Sequence, residues 1–91
     1  MLQECKIETG NWYWNRQVQL RLFELGVKWP LIGTKTFNVR KRGDYLFLTR
    51  NPMSDTWWLS WGRKFDWERC DKPATTAKLL LESLKSDVQK S

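Results

Sequence analysis

The sequence predicts an α+β fold, an antiparallel sheet of three or four strands packed against two helices. Three observations carry this expectation. Residues 45–50 and 56–62 are short aromatic-rich runs, and the stretch between them, Asn51-Pro52-Met53-Ser54-Asp55, has strong turn chemistry. Residues 77–88 place Ala77, Leu80, Leu81, Leu84 and Val88 on one helical stripe, with Lys78, Glu82, Lys85 and Asp87 facing outward. Residues 12–25 repeat Trp14, Val18, Leu22 and Leu25 at helical spacing, between a capping residue and Gly26.

The elements follow in chain order. Residues 2–8 read as a short opening strand. Over 12–25 two periods compete, because Val18, Leu20 and Leu22 also alternate with Gln17, Gln19 and Arg21 as a strand would. Asn11 or Thr9 as N-cap and Gly26 at the close favour helix. Pro30 and Gly33 mark a loop, Lys35 to Arg40 a strand, and Lys41-Arg42-Gly43-Asp44 a turn. Two strands at 45–50 and 56–62 then form a hairpin. Residues 66–73 are polar and read as irregular, and Thr75 or Thr76 caps the last helix.

At 91 residues the chain is expected to form one domain, 1–91, with ends 1–4 and 89–91 frayed. Aromatics make up 14% of it, so a few large side chains must supply the apolar area that offsets chain entropy. The longest unbroken apolar stretch, Tyr45-Leu46-Phe47-Leu48, is far too short to cross a bilayer. Residues 1–6 lack the basic start and apolar core of a signal peptide, so a cytoplasmic protein of a bacterial host is expected. Cys5 and Cys70 have no metal-ligand spacing and read as reduced thiols.

There is no histidine. That removes the usual base near neutral pH, the Ser/His and Cys/His nucleophile pairs, and the commonest zinc ligand. The charge is concentrated. Residues 28–64 hold eight basic residues against Asp44 and Asp55, while the remaining basic and acidic residues cancel. A localised positive field favours polyanionic partners, nucleic acid first.

Leu22-Phe23-Glu24-Leu25-Gly26-Val27-Lys28-Trp29 resembles the helix–glycine–aromatic stretch of small bacteriophage and prophage accessory proteins. Tyr45-Leu46-Phe47-Leu48, the strand 56–62 ending in glycine, and Thr75-Thr76-Ala77-Lys78-Leu79-Leu80 are similar to the elements that follow it there. The resemblance implies the same α+β fold and a protein that acts on host machinery or regulates phage genes. Its shared positions are core and turn, so it assigns no functional residue.

The candidate sites come from the residues. In the strand 56–62, Trp57, Leu59 and Trp61 share one face and Trp58 and Ser60 the other. In the strand before it, Leu46 and Leu48 oppose Tyr45, Phe47 and Thr49. If helices cover Leu46, Leu48, Trp57, Leu59 and Trp61, then Tyr45, Phe47 and Trp58 line an open face. Aromatics beside cations are what single-stranded nucleic acid requires, since bases stack on rings while cations neutralise phosphates. Arg40, Lys41 and Arg42 at a turn, with Arg63 and Lys64 leaving the last strand, supply a basic rim. The competing assignment makes every one of these rings core.

Three functions follow, from different classes. The favoured one is a non-catalytic nucleic-acid-binding protein, without cofactor, using Arg40, Lys41, Arg42, Tyr45, Phe47, Trp58, Arg63 and Lys64. The alternative is a stoichiometric inhibitor or adaptor of a host protein, of the anti-defence or anti-CRISPR type, since tryptophans are enriched at interface hot spots. The third is a metal-dependent nuclease, resting on Asp66, Glu68 and Asp71.

Overall fold

A computed structural model describes residues 2–29 and 45–90, with side chains as far as Lys85. Its elements are β1 (Cys5–Glu8), α1 (Trp12–Glu24), β2 (Tyr45–Asn51), β3 (Thr56–Gly62), α2 (Lys64–Arg69), β4 (Ala74–Thr76) and α3 (Ala77–Lys90). The loop at Pro30 and Gly33, the strand 35–40 and the turn 41–44 lie outside the described residues.

The α+β class stands, with two corrections. The sheet is mixed rather than antiparallel, in the order β3-β2-β1-β4. Pairs β1–β2 and β2–β3 are antiparallel, but β1–β4 is parallel. There are also three helices among the described residues, not two. Residues 66–73, expected to be irregular, contain most of α2. Both departures have one cause. Strand β3 ends at one edge of the sheet and β4 begins at the other, so residues 63–73 must cross a sheet face to connect them.

Helix α1 wins over the strand alternation because both of its ends are satisfied locally. Asn11 Oδ1 accepts from the Trp14 amide at 3.0 Å. At the other end Val27 N–H donates to Leu22 O at 3.0 Å and Gly26 N–H to Phe23 O at 3.1 Å, with Gly26 at φ +96°. This is the Schellman arrangement, and Val27 packs into the same core as Leu22. Leu20, which a strand would have buried beside Val18 and Leu22, is exposed.

Helix α3 starts directly from β4, with Thr76 Oγ1 accepting from the Leu79 amide at 3.3 Å. Its Ala77 and Leu84 are buried, with Leu80 and Leu81 packed at the core margin. Helices α1 and α3 run side by side in the same direction. The Lys78 ammonium lies 5.3 Å from the Trp14 ring centre, and Arg21 Nη2 donates to Leu84 O at 3.0 Å.

The core lies between this helix pair and one face of the sheet. The register aligns Cys5, Leu48 and Leu59 in one row and Ile7, Leu46 and Trp61 in the next. Cys5, Ile7, Leu46, Leu48 and Leu59 are buried against Val18, Leu22 and Phe23 of α1. Trp57 and Trp61 sit half-buried against the same cluster, as the parity of β3 requires. Two polar side chains, Asn15 and Gln19 of α1, are also buried, and the Gln19 amide donates to Asn15 Oδ1.

Candidate nucleic-acid interface

The second face of the sheet, turned away from α1 and α3, carries Lys6 and Glu8 of β1, Tyr45, Phe47 and Thr49 of β2, and Trp58 and Ser60 of β3. Cross-strand partners share a face, which fixes these neighbours without reference to side-chain rotamers. Trp58 stands opposite Thr49 and diagonal to Phe47, which itself stands opposite Ser60. Trp58 is 38% exposed. Phe47 and Tyr45 are half-buried.

The face has two unlike ends. At the Gly62 end the crossover covers it. The Trp67 ring of α2 lies 4.9 Å from the Tyr45 ring at a 34° tilt, and the Lys6 ammonium is 4.6 Å from that indole. Lys6 Nζ also donates to Trp67 O at 2.8 Å and Cys70 O at 3.0 Å, so the lysine closes the carbonyl end of α2. The approach is close. A Cβ at Gly62 would stand 2.8 Å from both Asp66 Oδ2 and Phe47 Cε2, so the strand needs glycine at this position.

At the other end no described element covers Trp58. After the turn at Gly26 the chain runs along the outer edge of β3. Lys28 N–H donates to Trp57 O at 3.3 Å and Leu59 N–H to Lys28 O at 2.9 Å. This parallel bridge pairs Lys28 with Trp58 and puts the lysine on the same face. A shallow recess of about 300 Å³ opens beside them, between Gly26, Lys28, Thr56, Trp57 and Trp58.

The predicted residues are therefore only partly together. Tyr45, Phe47 and Trp58 share the second face, as β2 and β3 parity implied. Tyr45 is engaged by Trp67 rather than open. Arg63 and Lys64 are exposed at the start of α2. They lie past Gly62, four residues along β3 from Trp58, which is roughly 13 Å. Arg40, Lys41 and Arg42 lie outside the described residues. Among the described residues the cation paired beside Trp58 is Lys28, which was not among the candidate site residues read from the sequence. Its signal was the Gly26 turn, which sends the chain back along the sheet. Phe65 was also missed. It is exposed on α2 beneath Arg69, whose guanidinium carbon lies 4.7 Å from the ring centre.

The carboxylates offered for a nuclease do not gather. Asp66 Oδ2 accepts from the Arg63 amide at 2.9 Å and so caps α2. Among the described residues no group of three or more His, Cys, Asp or Glu side chains could hold a metal ion. Both cysteines are free thiols. Burial pushes the Cys5 thiol up to about 11, which suppresses its thiolate at neutral pH. No helix among the described residues is long and apolar enough to cross a membrane. Comparison with protein-family models, curated proteins and solved structures finds no match.

Proposed function

We propose that the protein is a non-catalytic binder of single-stranded nucleic acid, and that the second sheet face is its platform. One observation carries the reading. Trp58 is exposed on a sheet face, with Phe47 diagonal to it and Lys28 paired beside it across the β3 edge. Bases stack on exposed rings whatever their sequence, and an adjacent lysine neutralises the phosphate that follows. Arg63 and Lys64 continue the positive charge beyond the Gly62 end of the same strand. A partner bound in this way is a phosphate chain, so its affinity falls steeply with salt.

The test is fluorescence anisotropy of labelled oligothymidylate and oligouridylate titrated with the protein. Neutralising about three phosphates should cost roughly tenfold or more in affinity between ~50 and ~200 mM salt. Trp58→Ala should weaken binding by roughly five- to a hundredfold, the range for losing one base–aromatic stack. Thermal melting of the variant checks that it remains folded. Absence of binding at low salt, or binding indifferent to Trp58, defeats the proposal.

A second reading, a stoichiometric inhibitor or adaptor of a host protein, draws on a separate feature. Trp12 and Tyr13, at the start of α1, are 62% and 50% exposed and form an edge-to-face pair with ring centres 6.5 Å apart. Exposed aromatic pairs of this kind anchor protein interfaces. Trp12→Ala separates the two readings, because it should leave oligonucleotide binding intact and abolish capture of a protein partner.

A further inference from the structure

The covered end of the second face contains a ring-on-ring contact that the platform reading leaves unused. Helix α2 has six residues and none is buried. A helix that short does not hold itself in water, so its attachments decide where it sits. Asp66 caps its start. Its far end is held by Trp67, packed on Tyr45 with the rings tilted by 34°, and by Lys6, whose ammonium lies over the indole and donates to the carbonyls of Trp67 and Cys70. A flat ring on an aromatic platform, with a lysine beside it bound to two oxygens, reproduces what a nucleotide presents. The indole stands where a base stacks, and the carbonyl oxygens stand where phosphate oxygens accept from lysine.

We propose that Trp67 is a built-in occupant of a second stacking place on Tyr45, displaced when single-stranded nucleic acid runs along the face from Trp58. This rests on the reading of that face as a single-strand platform. Displacement releases Lys6 from the two carbonyls to a phosphate, and the last turn of α2 loosens because its carbonyls lose their cation. The occupant therefore lowers the affinity of the free protein for any strand long enough to span the two places, roughly 13 Å apart along β3.

Cys70 is a native reporter of this event. It follows α2 directly, its amide donates to Asp66 O and Trp67 O, and its carbonyl is one of the two that Lys6 holds. Cys5 is buried, and its raised thiol pKa keeps it silent to a neutral alkylating reagent at pH 7. Iodoacetamide labelling, read by mass spectrometry with and without saturating oligothymidylate, should show Cys70 reacting severalfold faster in the complex. Trp67→Ala should bind the same oligonucleotide about tenfold tighter, since an aromatic pair and a cation–π contact no longer compete. Labelling that is unchanged or slowed in a saturated wild-type complex overturns the inference and leaves the platform reading standing. A folded Trp67→Ala variant that binds no tighter overturns it as well. If the variant is unfolded by circular dichroism, the wild-type labelling decides alone. If neither protein binds at low salt, the platform reading itself fails and this inference falls with it.

Discussion

Leu84→Ala tests the packing that holds the sheet to its helices, and its cost can be worked from the structure. Leu84 is 2% exposed, in the α3 stripe facing the core. Truncation removes about three methylene equivalents from the interior, at ~0.8 kcal/mol each, or ~2.4 kcal/mol. A cavity term adds to this, but a recess of about 220 Å³ lined by Leu2, Cys5, Leu80 and Leu84 already borders the site. Neighbours can relax into it, which keeps the cavity term at the lower end and the total near ~3 kcal/mol. The Arg21 bond to Leu84 goes to the backbone carbonyl and survives the substitution, so the measurement isolates the side chain. In a chain of this size each kcal/mol moves the thermal midpoint by ~4–8 °C, so a fall of roughly 12–24 °C is expected. Leu79, on the same helix but 65% exposed, is the control, and Leu79→Ala should stay within ~0.5 kcal/mol of wild type. Urea and thermal melts followed by circular dichroism give both values. Equal effects of the two substitutions, or a Leu84→Ala change within ~0.5 kcal/mol, would refute the packing of α3 through this stripe.

Gly26→Ala places a side chain at φ +96° in open space, so only backbone conformation is perturbed. A left-handed cost of ~1–2 kcal/mol, less the entropy removed from the unfolded chain, predicts a loss of about 1 kcal/mol in a urea melt. A neutral result would mean that the Schellman turn does not fix the path to β3. Gly62→Ala must push its new Cβ against Asp66 and Phe47, with an overpacking cost of ~1–3 kcal/mol. Faster Cys70 labelling in that variant would locate the strain at α2, and an unchanged melt would contradict the close approach. Cys5 adds a pH dependence. Its folded thiol is held protonated to about 11 against an ordinary 9.0, so its contribution is intact below 9.0 and lost as pH rises through about 11. Stability measured across that window should fall less steeply in Cys5→Ala, and identical slopes would remove Cys5 from the alkaline transition.

Legibility in the sequence followed the strength of local periodicity. The split of β3 into a core face with Trp57, Leu59 and Trp61 and an outer face with Trp58 needs only the two-residue repeat of a strand, and the register keeps it. Helix α1 was resolved against a competing alternation by its two caps, which are short-range chemistry. Strand β4 could not be read in this way. Ala74-Thr75-Thr76 is too short to show a period, and its pairing with residues 6–8 depends on a partner nearly seventy positions away. No residue of helix α2 is fully buried, so it has no apolar stripe to betray it. Its Phe65 and Trp67, two positions apart, mimic strand spacing. The Lys6–Trp67–Tyr45 contact joins three elements distant in sequence, and no local pattern encodes it.

The sheet order explains why one face carries both a closed and an open aromatic site. With β3 and β4 at opposite edges, three interstrand spacings of ~4.8 Å separate their ends, or about 14 Å. A six-residue helix rises ~9 Å and its five flanking residues supply the rest, so residues 63–73 cross without a further element. A crossover this short covers one end of the sheet and no more. Trp67 serves there as a lid on Tyr45, and Gly62 admits the close approach. Trp58, four residues back along β3, lies beyond the reach of α2, and the element beside it is the Lys28 bridge. The tryptophans near the hairpin thus fall into three environments set by topology: Trp57 and Trp61 against the core, Trp67 on the crossover, Trp58 exposed. Burial accounts for the first pair and loop geometry for Trp67. Exposure of Trp58 contributes least to folding, so its substitution is the one whose effect should appear in binding before it appears in stability.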